Sequence, residues 1–253
     1  MWSKIRSVYA WVLLSVIMLV LFPVAFLVCG LLAPLDPRRD RFRVFVATWV
    51  SAYGWLTPLY RFRIEGRERL PRGTPYVLVA NHESGLDTLA ILMLRTPVRF
   101  LADRGLFKIP LAGWLFRACR HIPVKPVDRS SGRRALDAVA GSLAEGSPVA
   151  IFPEGELMPD SMGEFRAGAF VAAKRASAPI VPVLLEGTGQ AWRPGTLVVQ
   201  GRHHLRIAVL DTVPVEAVAA STPEELSASV RAMIDGARLA PSHDAADTAA
   251  TLQ

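Results

Sequence analysis

Hydrophobic residues are distributed unevenly along the chain. Residues 8–35 contain no charged side chain, and the run is long enough to cross a bilayer as a helix. A second uncharged run covers residues 44–60 and is at the short end of what can span. No small-x-small cleavage site follows the first run, so we expect it to be retained as a membrane anchor rather than removed as a signal peptide.

Beyond these runs, short apolar segments alternate with segments of helical periodicity. The apolar segments predict strands at 76–80, 99–102, 149–152 and 180–185, and the periodic segments predict helices at 86–94, 133–144 and 165–176. This alternation favours an α/β fold, with a mostly parallel sheet flanked by helices. Residues 196–200 and 205–210 predict a hairpin around Gly201. Thr222, Pro223 and Glu225 predict the capped start of a closing helix.

The pattern divides the chain into three parts. We expect membrane-anchoring helices over residues 1–60, one α/β domain over 61–239 and a disordered tail over 240–253, which has almost nothing to bury. If both apolar runs spanned, the arginine-rich linker between them would face outward, against the positive-inside tendency. We therefore favour a hairpin that enters one leaflet and keeps the protein on the cytoplasmic face of the inner cell membrane.

Charge and composition narrow the possible partners. The 253 residues carry a formal net charge of +7, and 51% of them are hydrophobic. No basic stripe is interleaved with aromatic residues, so a nucleic-acid partner is not expected. Arginines beside apolar runs are better suited to anionic lipid head groups. The two cysteines, Cys29 and Cys119, are far apart in sequence and predict neither a disulfide nor a metal site.

The heptapeptide from Asn81 to Asp87 stands between a predicted strand and a predicted helix. His82 and Asp87 are five residues apart, which on a continuous helix places them about 140° apart around the axis. They can meet only if the chain turns, and Ser84 and Gly85 suit a turn and a helix start. A carboxylate on one imidazole nitrogen raises the basicity of the other, so the pair could take a proton from an alcohol that attacks an acyl carbonyl.

Two other interpretations of the heptapeptide remain open at this point. Ser84 could be a nucleophile, although the sequence around it lacks the first glycine of a G-x-S-x-G elbow. Alternatively, Asp87 only stabilises the start of the helix and His82 is an ordinary loop residue.

A second motif, Phe152-Pro153-Glu154-Gly155, ends another predicted strand, at the sheet edge where α/β proteins form their sites. The ordered pair N-H-x-x-x-x-D and F-P-E-G, behind an apolar anchor, resembles the glycerolipid acyltransferase family. The likeness is to the branch that acylates 1-acylglycerol-3-phosphate to phosphatidic acid, and it covers residues 61–213.

The resemblance implies roles for these positions. His82 would deprotonate the acceptor hydroxyl as it attacks a thioester, and Asp87 would orient His82. Glu154 and Gly155 would shape the site of the lysophospholipid acceptor. The acyl donor would be acyl-CoA or acyl-carrier protein, with no metal and no bound cofactor. Residues 106–116 form a dense apolar segment that is either a core helix or a surface for the membrane or the acyl chain.

One departure from the family pattern concerns the acceptor. The family's block usually reads F-P-E-G-T-R-S, and Leu157 stands where its phosphate-binding arginine is expected. Arg104, Lys108 and Arg166 are candidates to hold the phosphate instead. Otherwise the acceptor is another lysolipid or an amphipathic alcohol. A protein of another class, which binds lipid or acyl carrier without catalysis, is the remaining alternative.

Overall fold

The computed structural model describes residues 2–125, 129–196, 198–199 and 201–239. Its helices are α1 (Trp2–Leu32), α2 (Asp40–Leu56), α3 (Leu86–Leu92), α4 (Ala112–Ala118), α5 (Arg129–Ala144), α6 (Gly168–Arg175), α7 (Thr188–Ala191), α8 (Val215–Ala220) and α9 (Pro223–Leu239). Its strands are β1 (Tyr60–Glu65), β2 (Val77–Ala80), β3 (Arg99–Asp103), β4 (Ile122–Val124), β5 (Val149–Ile151), β6 (Ile180–Glu186) and β7 (His203–Val209). Short 3₁₀ turns lie at Arg67–Arg69 and Leu106–Lys108.

The strands form one sheet in the order β1-β7-β6-β2-β5-β3-β4. The neighbours of β2 are both parallel to it, with Val77 opposite Val149 of β5 and Ile180 of β6. Strand β7 runs antiparallel to β6 and parallel to β1, so the sheet is mostly parallel. Every residue of β2 and β5 is buried, as expected for strands that helices cover on both faces.

Helices pack on both faces of the sheet. On one face, α5, α6 and α9 bury Val139, Phe170 and Val230 against the strands. On the other, α3 buries Ile91 against Leu78 and its neighbours. The predicted α/β architecture is therefore confirmed, and the carboxyl ends of the parallel strands are left open at one edge.

Most predicted elements lie within a few residues of the observed ones. The capped start of α9 is confirmed, since the Thr222 backbone N–H donates to Glu225 Oε2 at 2.8 Å and the Glu225 N–H donates to Thr222 Oγ1 at 3.2 Å. The hairpin around Gly201 is wrong. The described part of 196–200 forms no strand. Both edges of β7 are instead hydrogen-bonded to strands distant in sequence, β1 and β6, which leaves no edge for a hairpin partner. Residues 240–253 lie outside the described residues.

Helix α1 is the one described helix that is long and apolar enough to cross a membrane. It buries a narrow stripe, Ala10, Ile17, Leu21 and Ala25, at helical spacing. The stripe packs antiparallel along α2, because Ala10 clusters with Tyr53 near the end of α2 whereas Ala25 clusters with Phe42 near its start. The opposite side of α1 is exposed and apolar. Helix α2 in turn packs against α3 and β1.

The Arg43 side chain fastens α2 to the sheet. It is 2% exposed, and its guanidinium donates to the carbonyl oxygens of Pro97 (2.8 Å) and Cys119 (3.2 Å) and to Ser147 Oγ (3.0 Å). It also pairs with Asp40 one helical turn away. These partners precede β3, end α4 and precede β5, so one buried cation connects α2 to three segments of the domain.

Replacement of Arg43 tests whether α2 belongs to the folded domain. Arg43→Met leaves the buried oxygens without donors, so we expect the free energy of unfolding in micelles to fall by about 3 kcal/mol. Denaturant titration followed by circular dichroism measures the change. Arg41→Met, on the exposed side of the same helix, is the matched control and is expected to change it by less than about 0.5 kcal/mol. Equal stability of the two variants would show that α2 is not part of the cooperative unit.

Candidate active site

The His82 and Asp87 side chains meet across the turn between β2 and α3. His82 Nδ1 lies 2.8 Å from Asp87 Oδ2, and the Asp87 side chain is completely buried. The same oxygen accepts the backbone N–H groups of Glu83 (2.6 Å) and Ser84 (2.8 Å). Because a carboxylate accepts, Nδ1 carries the ring proton and Nε2 keeps its lone pair. The predicted meeting is confirmed, whereas the catalytic role of the pair stays a prediction.

Gly85 is required for a different reason from the one expected. Its backbone is right-handed, with φ −60°, so it adopts no angle that excludes other residues. A Cβ atom at this position would instead lie 2.7 Å from Cζ3 of the Trp192 ring. Ser84 Oγ donates to the Trp192 carbonyl oxygen at 2.7 Å and accepts the Leu86 N–H at 3.3 Å. Trp192, the residue directly after α7, thus holds the turn in place.

The His82 ring faces a cavity of about 410 Å³ at the carboxyl ends of β2 to β5. It stacks on Phe152 with ring centroids 3.9 Å apart and is 19% exposed. Behind it, the His82 backbone N–H donates to Glu154 Oε1 at 3.2 Å. Burial raises the pKa of the Glu154 carboxyl above its ordinary value, although the N–H groups of His82 and Gly163 act against this. The Glu154 side chain therefore helps to hold the backbone of the turn at His82.

Gly155 allows Arg166 to lie close to the backbone. Gly155 has φ +74°, and a Cβ atom there would be 2.9 Å from Arg166 Nη1. The guanidinium borders the cavity, and its Nη2 atom lies 4.0 Å from Glu156 Oε1. The structure thus brings His82, Gly155 and Arg166 to one cavity, as the motifs predict.

The structure does not bring Arg104 or Lys108 to this cavity. Both side chains are exposed, and neither is among the described residues that line it. They follow β3, whose last residue, Asp103, does line the cavity. The second basic residue on the wall is Lys125, which follows β4. Its position at the carboxyl end of a parallel strand is the sequence feature that could have identified it.

Sequence reasoning also missed a partly buried ion pair beside His82. Glu83 Oε1 accepts from Arg238 Nη2 of α9 at 2.6 Å, and Glu83 Oε2 accepts from the Gly189 N–H at 3.3 Å and from Thr188 Oγ1 at 3.4 Å. The Glu83 side chain is 10% exposed. Burial raises the pKa of Glu83 to about 7, while Arg238 lowers it and Asp87 raises it further. The C-terminal helix thus contacts the turn that carries His82.

A second cavity, of about 340 Å³, lies on the other side of the turn. Its walls are mostly apolar and come from α1, α2, α3 and α4, and they include Gly85, Leu86 and Trp192. From the apolar segment 106–116, Leu115 and Phe116 line this cavity, whereas Leu106, Ile109 and Leu111 are exposed. The segment is therefore not simply a core helix, and its contact with a membrane or an acyl chain stays a prediction. No metal-binding group of His, Cys, Asp and Glu occurs among the described residues.

Comparison with known proteins agrees with the two motifs. A family model described as Acyltransferase matches residues 61–186. A 1-acyl-sn-glycerol-3-phosphate acyltransferase of Chlamydomonas reinhardtii is 34% identical over 250 residues, which cover 91% of this chain and 74% of that protein. A protein of the same name from Pseudomonas aeruginosa is 31% identical over 198 residues, covering 75% of this chain and 74% of that one. Chloroplastic LPAT1 of Arabidopsis thaliana is 34% identical over 177 residues, or 69% of this chain and 49% of its own length.

The fold also matches a solved structure. The 1-acyl-sn-glycerophosphate (LPA) acyltransferase PlsC from Thermotoga maritima superposes with a TM-score of 0.77 at 23% sequence identity. The match covers 95% of this chain and 99% of that one. The helices, strands and N-terminal apolar helix described above therefore form a fold already known.

The Arg238–Glu83 pair predicts a pH-dependent stability difference. The folded pKa of Glu83 is above its unfolded value, so its ionisation destabilises the fold as the pH rises from about 4.5 to 7. The positive charge of Arg238 offsets this free-energy cost only when the Glu83 carboxylate is ionised. We expect Arg238→Met to lower the free energy of unfolding slightly at about pH 5 and by roughly 2 kcal/mol more at about pH 8.

Denaturant titrations at several pH values measure this difference. Arg231→Met is the matched control on the same helix, because Arg231 donates to the backbone carbonyl oxygens of Gly163 and Met162, which do not titrate. Its effect on the free energy of unfolding is expected to be the same at each pH. A loss in Arg238→Met that does not vary with pH would exclude the proposed dependence on Glu83.

Proposed function

This chain belongs to the acyltransferase family, and on that premise we propose that it is an O-acyltransferase acting on a lysophospholipid. It transfers a fatty acyl group from acyl-CoA or acyl-carrier protein to the free hydroxyl of 1-acylglycerol-3-phosphate, giving phosphatidic acid. The observation that carries the proposal is the 2.8 Å contact of His82 with buried Asp87, at the wall of an open cavity. The names of the relatives support this acceptor.

The His82–Asp87 geometry suits general base catalysis. Asp87 accepts the Nδ1 proton, so Nε2 can take the proton of the acceptor hydroxyl while its oxygen attacks the thioester carbonyl. The new C–O bond forms, and the C–S bond then breaks. His82 returns the proton to the leaving thiolate. The charge that develops on the imidazole is stabilised by the Asp87 carboxylate, whose Oδ2 atom accepts three N–H groups, one of them from His82.

Two cavities fit the two parts of this reaction. The cavity that His82 faces, called the charged cavity below, has Arg166 and Lys125 on its wall. These two cations are suited to the acceptor phosphate. The apolar cavity behind Gly85 and Leu86 is suited to an acyl chain, since each buried methylene contributes about 0.8 kcal/mol. Residues 82 to 87 separate the cavities, so His82 would lie near the point where donor and acceptor meet.

We further propose that α1 and α2 attach the protein to the cytoplasmic face of the inner membrane as a hairpin. Arg43 and Tyr53 of α2 are buried in the domain, and α1 lies along α2 over most of its length. This packing supports an α1 that stays beside the domain instead of crossing away from it. Its exposed face, which includes Leu19 (68%) and Leu31 (66%), is suited to lipid tails, and neighbouring arginines to anionic head groups.

An acyl-transfer assay tests the catalytic proposal. Purified protein in mixed micelles, given acyl-CoA or acyl-carrier protein and 1-acylglycerol-3-phosphate, is expected to form phosphatidic acid that mass spectrometry detects. His82→Ala is expected to lower the rate about 100- to 10,000-fold, because it removes the general base. Asp87→Asn is expected to lower it at least about tenfold, because it removes the carboxylate that orients His82 and stabilises its developing charge. His204→Gln, at an exposed site on β7, is the control and is expected to keep full activity. Undiminished transfer by folded His82→Ala would refute the mechanism.

The orientation of the linker tests the hairpin. Arg41→Cys places a thiol between the two apolar runs, and we expect a membrane-impermeant maleimide to label it only after cells are permeabilised. The wild type sets the background, because Cys119 is buried and Cys29 is partly buried. Labelling in intact cells would show that the linker faces outward and that both runs span.

A further inference from the structure

The charged cavity beside His82 carries both signs of charge. Its wall contains two cations, Lys125 and Arg166, and two carboxylates, Asp103 and Glu156. The site is therefore close to neutral when His82 is uncharged. A bare phosphate monoester carries a charge of about −1.5 to −2 at neutral pH. The two cations can balance the negative charge of such a ligand. The ligand then offers no positive group to the two carboxylates.

The two carboxylates are not equivalent. Asp103 Oδ1 accepts the Gly105 N–H at 2.6 Å and so helps to form the turn after β3. Glu156 lines the cavity, its side chain is 69% exposed, and its Oε1 atom lies 4.0 Å from the Arg166 guanidinium. The separation is at the limit of an ion pair, so the Glu156 oxygens keep most of their capacity to accept hydrogen bonds.

The backbone brings Arg166 beside Glu156, since the Arg166 N–H donates to the Pro153 carbonyl oxygen at 3.0 Å. Glu156 directly follows Gly155, and the guanidinium of Arg166 lies over that glycine because it has no side chain. A cation and a carboxylate are thus presented side by side at the mouth of the cavity. Leu157, also on the wall, adds no charge. A ligand group with a negative and a positive end a few atoms apart matches this arrangement.

We propose that the acceptor site also takes a lysophospholipid with a zwitterionic head group, in which a phosphodiester is joined by a short carbon chain to an ammonium. The phosphodiester contacts Arg166 and Lys125, and the ammonium donates to Glu156. This inference rests on the proposed function and uses the same chemistry. The free glycerol hydroxyl attacks the thioester, the C–O bond forms, the C–S bond breaks, and His82 passes the proton to the thiolate. The products are a diacyl phospholipid and the free thiol.

Three acceptors distinguish this inference from the function on which it rests. They are 1-acylglycerol-3-phosphate, lysophosphatidylethanolamine and lysophosphatidylglycerol, each in mixed micelles with acyl-CoA. The last two are phosphodiesters of similar size, and only the ethanolamine lipid has an ammonium. We expect wild type to show about tenfold higher kcat/KM for the ethanolamine lipid than for the glycerol lipid, as one charge-assisted hydrogen bond predicts.

Glu156→Gln locates the effect. It is expected to lower kcat/KM for the ethanolamine lipid about tenfold and to change the other two acceptors by less than about threefold. Asp160→Asn is the matched control, an exposed carboxylate that pairs with Arg193 and does not line the cavity, and all three rates are expected to stay unchanged. Equal use of the two phosphodiesters, or an equal loss for all acceptors in Glu156→Gln, would overturn the inference and leave the proposed function intact. No transfer to any acceptor would overturn both.

Discussion

The buried carboxylate of Asp87 is the constraint on which the site depends. A fully buried charge is costly unless hydrogen bonds satisfy it. Three N–H groups within five residues donate to Oδ2, whereas Oδ1 has no hydrogen-bond partner among the described residues. Two of them are backbone groups, of Glu83 and Ser84, so the chain must curl around the carboxylate. The third is His82 Nδ1, whose ring is thereby fixed against Phe152. The stability of the turn and the tautomer of the histidine therefore have the same cause.

The sheet delivers this turn to the right place. The Asn81 side chain extends the pairing of β2 with β6, because its amide donates to the Leu185 carbonyl oxygen at 2.7 Å and accepts the Leu185 N–H at 2.8 Å. The strand order then sets β5 and β3 beside β2, with β4 beyond them. Their carboxyl ends supply Phe152, Asp103 and Lys125 to one cavity. A parallel sheet thus gathers residues that are far apart in sequence.

This distinction between local and distant causes explains what the sequence could predict. The His82–Asp87 contact depends on a turn of five residues, and the strands around it are short apolar runs, so both could be inferred from the pattern. The family suggested by the two motifs is confirmed by the relatives. The Arg238–Glu83 pair joins positions 155 residues apart, and no local pattern records it. Arg104 and Lys108 were candidates because they are cations that could replace the arginine expected at Leu157, and the sequence alone could not show that neither lines the cavity.

The position of the turn between two unlike cavities argues most strongly for a reaction that joins a lipid tail to a polar head. His82 borders a cavity that carries four charged side chains, whereas Gly85 and Leu86, three and four residues later, border an apolar one. The apolar walls come partly from α1 and α2, so the helices proposed to meet the membrane also enclose the space proposed for the acyl chain. Because Arg43 connects α2 to the segments before β3 and β5, the two N-terminal helices, the apolar cavity and His82 belong to one packed unit. A displacement of α2 would therefore alter the apolar cavity as well as the proposed attachment to the bilayer.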